Sequence, residues 1–258
     1  MKLSKEYQVE VKGRVFGGEK LLECIPIIAQ NREQLIQDVS QVAAHKPDII
    51  EWRVDWFNRL NETDYVVASL REIVPILNGI PILLTFRHIS EGGAKEEPQQ
   101  VRIDVIRAAC ETGLIDVVDI EQANPREFVE EVKAIVRANG VKLVISTHNF
   151  SATPSEEEIL NRIKAGKEMG ADIAKVCYLP KNFSDVLNVA KATYRARAGA
   201  CLIPLITVSM GDLGGITRIM GREIGSDLSF LSAAGASGPG QMNIEDYRVM
   251  KKIIANKL

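Results

Sequence analysis

Histidine is scarce in this chain. There are three among 258 residues, and none forms an H-x-x-x-H pair. Cysteine is hardly commoner, at four, and no two make a C-x-x-C pair. These shortages argue against a zinc site and against the disulfide framework of a small secreted domain, while leaving an oxygen-ligand Mg²⁺ site open. Cys24, Cys177 and Cys201 fall on predicted strands and Cys110 on a predicted helix, so reduced thiols are expected. No charge of one sign dominates: the formal net charge is -2, which gives no reason to expect a nucleic-acid or membrane-surface partner. The opening stretch "MKLSKEYQVEVKGRVFGG" lacks an apolar run of signal-peptide length, and no later segment approaches transmembrane length. A soluble, cytoplasmic protein is expected.

What the chain does have is hydrophobic residues, 46% of the total, arranged in short runs. Eight runs stand out: "LLECIPIIA" (21–29), "DIIEWRV" (48–54), "PILLTFR" (81–87), "IDVVDIE" (115–121), "VKLVIST" (141–147), "DIAKVCY" (172–178), "CLIPLITVS" (201–209) and "SDLSFLS" (226–232). Helical patterns lie between them. "REQLIQDVSQVAAH" repeats its apolar residues at three and four. "NPREFVEEVKAIVRANG" offers Asn124 as N-cap, Pro125 at the first helical position and Gly140 just past the end. "TPSEEEILNRIKAGKEMG" opens on a capping-type Thr-Pro and puts three acids in its first turn, where a helix dipole favours them.

Eight strands with helical crossovers predict an α/β protein, a (β/α)8 TIM barrel. An open doubly wound sheet is the rival, but no G-x-G-x-x-G follows the first strand. Before that strand, "YQVEVKGRVF" alternates around Lys12-Gly13 like a β-hairpin, which would close the bottom of the barrel. No linker or low-complexity segment divides the chain, so residues 1–258 are expected to form a single barrel domain.

In such barrels the chemistry sits at the carboxyl ends of the strands. Lys175 stands in the middle of the apolar "ADIAKVCYLP". Three readings are open: a solvated edge residue, half of a buried ion pair, or a desolvated amine kept as a nucleophile. An amine of pKa ~10.4 is neutral in about one molecule in 2,500 at pH 7, and lowering the pKa to ~8 raises that to about one in ten. Burial and a nearby arginine are expected to push Lys175 that way.

Strand side chains alternate, so Glu51 and Arg53 share a face, as do Asp119 and Glu121. If that face is the lumen, then Glu51, Arg53, Arg87, Glu121, His148 and Lys175 converge on one mouth. Each also has a plain structural reading: an internal Glu51–Arg53 ion pair, a loop-capping Arg87, a core or loop His148, or a divalent-metal set of Glu51, Asp119 and Glu121. Six ionisable groups at adjacent strand ends are costly to bury, however, and stability alone explains them poorly. Two glycine-rich loops follow, "SMGDLGGITRIMG" (209–221) and "ASGPGQM" (236–242), either to cradle phosphate or to form a mobile lid. Arg218 is the cation there for an anionic substrate, or else a surface arginine on a short helix.

Taken in order, "EWRVD", "TFR" followed by "EGG", "STHNF", "AKV", "SMG", "TRIMG" and "SGPGQ" resemble the motifs of the type I 3-dehydroquinate dehydratases of the shikimate pathway, over nearly the whole chain. The resemblance implies a lyase that dehydrates 3-dehydroquinate to 3-dehydroshikimate through a lysine Schiff base, in aromatic amino acid biosynthesis. It implies catalytic roles for Lys175 (imine), His148 (proton transfer) and Glu91 (orienting His148). Glu51, Arg53 and Arg87 become binders of the ring hydroxyls and their surroundings. Arg218, Ser237 and Gln241 become binders of the substrate carboxylate and neighbouring hydroxyl, and Met210 an apolar wall. It also implies a small-molecule substrate, no metal or organic cofactor, and a homodimer. The chain departs from the family pattern at Asn149, Gly238 and Gln122, where Asp, Ala and Leu are common. A class I aldolase of a sugar phosphate is the alternative enzyme, and a catalytically dead binding barrel the alternative from another class.

Overall fold

A computed structural model describes residues 1–233 and 237–254. The chain opens with the antiparallel hairpin β1 (Val9–Val11) and β2 (Arg14–Phe16), turning at Lys12 and Gly13, both at positive φ. Then β3 (Leu22–Ile27), β4 (Ile49–Arg53), β5 (Ile82–Thr85), β6 (Val117–Glu121), β7 (Lys142–Asn149), β8 (Ile173–Tyr178), β9 (Leu205–Ser209) and β10 (Leu228–Ser232) run parallel. The crossovers carry α1 (Arg32–Ala44), α2 (Thr63–Leu77), α3 (Gln99–Glu111), α4 (Arg126–Ala138), α5 (Glu156–Glu168) and α6 (Phe183–Arg195), with α7 (Gly211–Ile219) and α8 (Gly221–Ile224) after β9. A short β11 (Met242–Asn243) beside β10 leads into α9 (Ile244–Ile254).

The sheet curls into a (β/α)8 barrel. Its ladder runs β10-β3-β4-β5-β6-β7-β8-β9. The seam from β9 back to β10 is closed by Asp227 N–H on the Leu205 carbonyl (2.7 Å), Leu205 N–H on Asp227 Oδ2 (2.7 Å) and Thr207 N–H on Ser226 Oγ (3.0 Å). Strand alternation sorts the side chains. Ile50, Trp52, Leu84, Val118 and Ile120 point outward into the core shared with the helices. Inward, the lowest layer is apolar: Cys24, Ile49, Leu83, Val117, Val144, Ile173, Ile206 and Leu228. Val11 and Phe16 of the hairpin pack against this layer from below, so the hairpin plugs the barrel bottom. Two residues further along the same strands, the inward positions turn polar, as Glu51, Thr85, Asp119, Ser146 and Lys175.

The barrel bottom repeats one device. Asp48, Asp116, Asp172 and Asp227, at the starts of alternate strands, each accept the N–H of a residue on the preceding strand: Glu23 (2.8 Å), Ile82 (2.9 Å), Leu143 (2.8 Å) and Leu205 (2.7 Å). Asp172 is half-buried and water can replace it, so Asp172→Ala should cost about 1 kcal/mol. Asp227 is buried and also pairs with the buried Arg197. Asp227→Ala should cost about 3–5 kcal/mol, because it strands that guanidinium. Urea denaturation of the two variants checks the contrast, and equal losses would contradict it.

Some local expectations shift. Pro125, not Asn124, occupies the N-cap of α4; its extended ψ of 146° starts the helix one residue later. Asn124 instead bonds Glu121 and Arg102. Ser155, not Thr-Pro, caps α5, accepting the N–H of Glu158 (3.3 Å), and the three acids do fill the first turn. Cys201 lies off the seventh barrel strand, because α6 runs on into a wide turn at Ala196–Ala200 and the strand begins only at Leu205. All four cysteines are free and buried.

Candidate active site

At the carboxyl end of the barrel the strand tips and following loops line a pocket that opens to solvent, about 500 Å³ with its mouth included. Every residue named as a site candidate by the resemblance lines it: Glu51, Arg53, Arg87, Glu91, His148, Lys175, Met210, Arg218, Ser237 and Gln241. Ala236, the first residue of the expected closing loop, lies outside the described residues.

Lys175 Nζ sits at the pocket floor, its residue only 4% exposed. It donates to Asp119 Oδ2 at 2.8 Å, stands 3.8 Å from Glu51 Oε1 and lies 4.5 Å above the Phe230 ring. The expected lowering of its pKa is not found. Burial is the largest single influence and does push the amine down, but Asp119 and Glu51 together outweigh it and Arg87, and the net shift is upward. In the free site Lys175 is an ammonium held by two carboxylates.

His148, one strand away, is oriented by Glu91. A single carboxylate oxygen, Oε2, accepts both the His148 backbone N–H (2.8 Å) and Nδ1–H (2.9 Å). This leaves Nε2 as the basic ring nitrogen. Burial, then the charges of Arg87 and Lys175, hold His148 well below its ordinary pKa, so the ring is neutral. Burial pushes Glu91 up to about 7. Its loop is built for close approach: a Cβ on Gly93 would stand 2.1 Å from the Arg87 carbonyl oxygen, so only glycine fits behind Glu91.

Arg53 is clamped in parallel by Asp55, Nε and Nη2 each donating at 2.8 Å. Arg87 donates to Asp119 Oδ2 and Glu121 Oε1, both at 2.8 Å, and to Ser146 Oγ at 2.7 Å. Burial would raise Asp119, but Arg87 and Lys175 outweigh it and hold the carboxyl well below the usual range. Glu121 does not reach the pocket. It is fully engaged behind it, by Arg87, the His88 N–H, Arg102 and Asn124. The same pairing answers the divalent-metal reading, since Asp119 and Glu121 already face cations. Among the described residues no cluster of three or more His, Cys, Asp or Glu is placed to hold a metal.

Arg218, on α7, differs from the other cations. Its bonds go only to the carbonyls of Phe230 and Pro239, each at 3.0 Å, and it has no carboxylate partner among the described residues. Burial draws its pKa down to about 10, still far above neutrality, so the pocket holds an uncompensated positive charge. Ser237 and Gln241 tie their loop together, Ser237 N–H to Gln241 Oε1 at 2.9 Å and Gln241 Nε2 to Ser237 Oγ at 3.1 Å. Between them Gly240 is required, for a Cβ would meet the Gly211 carbonyl oxygen at 2.4 Å.

A family model described as "Type I 3-dehydroquinase" matches residues 23–257. The chain belongs to the type I 3-dehydroquinase family. It is 39% identical to the 3-dehydroquinate dehydratase of Geobacillus thermodenitrificans over 249 residues, 95% of each chain. The crystal structure of 3-dehydroquinate dehydratase from Geobacillus kaustophilus superposes with a TM-score of 0.95 at 35% identity, covering 99% of both chains. The type I enzyme of Clostridium difficile, solved with covalently modified comenic acid, gives 0.93 at 33% identity, covering 100% of both.

For a type I 3-dehydroquinase the departures from pattern are mild. Asn149 turns away from the histidine, accepting the N–H groups of Ser151 (2.8 Å) and Ala152 (3.1 Å), as an aspartate there also would. Gln122 bonds the Arg162 carbonyl outside the pocket. A Cβ on Gly238 meets only Gln241 Nε2, at 3.9 Å, so alanine would fit. Besides Gly92, Gly238 and Pro239 of the loops, the pocket is lined by four residues that were not expected there: Cys177, Val208, Phe230 and Phe150. The first was accessible, being two residues past Lys175 on the same strand face. Val208 and Phe230 also follow from strand parity, whereas Phe150 sits in a loop that no periodicity orders. Its ring lies nearly parallel to that of His148 (interplanar angle 13°, centroids 6.5 Å apart).

Proposed function

We propose that the protein dehydrates 3-dehydroquinate to 3-dehydroshikimate in the shikimate pathway, through a Schiff base on Lys175. The observation that carries this reading is one buried amine sharing a pocket with a neutral, carboxylate-oriented histidine and an unpaired guanidinium. The relative described with covalently modified comenic acid also suits a site that holds a nucleophile.

The amine is charged in the free site, so it must lose a proton before it attacks the ring ketone. His148, kept neutral by burial, is the group in the pocket with room for that proton. Nζ then bonds the carbonyl carbon, and the hydroxyl so formed takes the proton back from His148 and leaves as water, giving a protonated imine and a neutral histidine. Asp119 and Glu51, which favour the ammonium, favour this cation for the same electrostatic reason. The imine draws electrons from the adjacent C–H bond as His148 Nε2 takes its proton. The resulting enamine expels the neighbouring hydroxyl, which leaves as water with a proton from His148. Hydrolysis of the imine frees the enone and restores the amine. A sugar-phosphate aldolase would share the lysine, but membership of the 3-dehydroquinase family weighs against it.

The same reading has Arg218 hold the substrate carboxylate, with Ser237 and Gln241 beside it, Glu51, Arg53 and Arg87 around the ring hydroxyls, and Met210 as the apolar wall. It takes residues 1–258 as one domain, acting in the cytoplasm as a homodimer. No helix of the described residues is long and apolar enough to cross a membrane. Incubation with 3-dehydroquinate should produce the ultraviolet absorbance of a conjugated enone; absence of that signal from folded protein would overturn the reading.

Arg218→Ala should raise KM by roughly 10–100-fold, the scale of a lost charge-assisted contact. Arg218→Lys should recover only part of it, because an ammonium lacks the fork. Steady-state kinetics decide, and unchanged KM and turnover in Arg218→Ala would remove Arg218 from carboxylate recognition.

A further inference from the structure

On α3, Arg102, Val105 and Ala109 lie three and four residues apart, and with Ile103, Ile106 and Cys110 they make the buried face of the helix. An arginine in that row is out of place by polarity. It is 3% exposed, and its guanidinium lies over Phe128, 4.6 Å from the ring centroid. Nη2 donates to Glu121 Oε2 at 2.7 Å and Nη1 to Asn124 Oδ1 at 2.7 Å. A buried ion pair is weak evidence for stability, since apolar residues of similar size often serve as well. Arg102 therefore invites a second explanation.

We infer that Arg102, which does not line the pocket, is a positioning residue: it acts through Glu121 and Arg87 on the proton affinity of the Lys175 amine. The inference rests on the reading of Lys175 as the covalent residue. Its physical basis is an unbroken line of alternating charges. Arg102 holds Glu121 Oε2, and Glu121 Oε1 holds Arg87 Nη1 (2.8 Å). Arg87 Nη2 then holds Asp119 Oδ2 (2.8 Å), which holds Lys175 Nζ (2.8 Å). With Glu51 beside Nζ, the line has three cations and three carboxylates.

Removing the charge of Arg102 leaves one carboxylate in excess at Glu121. Arg87 is then drawn toward Glu121 and shields Asp119 less, so Asp119 holds the Lys175 proton more tightly. Removing the charge of Glu121 does the reverse. The other groups facing Lys175 or lining its pocket are Glu51 and Arg53 from β4, His148 from β7, the Cys177 thiol on β8 itself, the Cys24 thiol on β3 and Arg218 from α7; Glu91 stands behind His148. All of these are unchanged in the variants below, so opposite shifts can be ascribed to the Arg102–Glu121 pair.

The test follows single-turnover imine formation, trapped on Lys175 by cyanoborohydride with 3-dehydroquinate across a pH series. Arg102→Gln should move the acid limb to higher pH by roughly 0.5–1 unit, less than a charge in direct contact produces. Glu121→Gln should move it to lower pH, the double variant should return toward the wild type, and Arg102→Lys should stay near it. KM should change less than turnover, since Arg102 does not line the pocket. Limbs that coincide with the wild type, or shift in one direction for both single variants, would reduce Arg102 to a structural tie. Should Arg102→Gln fail to fold, the direction of the Glu121→Gln shift and the return in the double variant decide. Absence of trapping in the wild-type protein would instead overturn the Schiff-base reading, and this inference with it.

Discussion

Lys175→Met should abolish turnover, by on the order of 10⁴–10⁶-fold, the scale on which enzymes lose rate with their nucleophile. Among the described residues no other side chain supplies an amine to the pocket floor: the remaining cations lining it, Arg53, Arg87 and Arg218, are guanidinium groups that stay protonated. The variant should also gain no ligand mass on borohydride treatment with substrate or product, whereas the wild type should gain one, on the peptide containing Lys175. Methionine is preferred to alanine because it keeps the volume over Phe230. The substitution leaves two carboxylates short of a cation. Asp119 retains Arg87 and Ser146, but among the described residues Glu51 retains only the Thr85 hydroxyl at 2.8 Å. The variant should therefore be less stable than the wild type, by about 3–5 kcal/mol, the scale of a buried charge that has lost its partner. Peptide mass mapping and urea denaturation read both effects. Label on a different lysine, or turnover within tenfold of the wild type, would remove Lys175 from the chemistry.

Much of this site is legible in the sequence because barrel strands obey a period of two. Once Lys175 is taken as inward, Cys177 follows on the same strand, and Glu51 with Arg53 and Asp119 with Glu121 fall on shared faces. The apolar-then-polar change along each strand is equally visible, since Ile49, Leu83, Val117, Val144 and Ile173 each stand two residues before a polar inward residue. What period two cannot give is distance. The charge state of Lys175 turns on Asp119 lying at 2.8 Å while the opposing cations lie farther, and no spacing in the chain encodes that difference. Glu121 shows the same limit: its parity is inward, yet Arg102 arrives from a helix and takes it out of the pocket's reach. Arg102 left one trace, a charged residue in an apolar helical row, which reads as an exposed position until the packing of α3 is known. Helix starts moved by one residue at Pro125 and by two at Ser155, because several adjacent residues satisfy the same end.

His148→Ala should separate proton transfer from imine formation. Lys175 keeps Asp119, Glu51 and its place above Phe230 in this variant, so the amine should still condense with the ketone, more slowly because solvent must take the proton that His148 accepts in the wild type. The adduct should be trapped by borohydride and, because its onward chemistry is blocked, should accumulate beyond the wild-type level. Dehydration should fall by roughly 10²–10⁴-fold, the usual contribution of a positioned general acid–base group. Glu91→Gln should fall between the two. The amide can still accept from the His148 backbone N–H and Nδ1–H, but it no longer offers a negative charge to the imidazolium that forms when the ring takes the proton. His148 is neutral in the resting site because burial, Arg87 and Lys175 all oppose its charging. The wild-type dependence on pH should therefore show no loss of the base form on acidification to pH 6; an acid limb at about 7 should belong to Glu91, with the amine titrating above it. Single-turnover product formation by His148→Ala, with trapping run alongside, is the deciding measurement. A trapped adduct with near-normal dehydration would take the histidine out of proton transfer and leave a carboxylate or water as the base. An untrapped, inactive variant would instead show that solvent cannot stand in for His148 as the acceptor of the Lys175 proton.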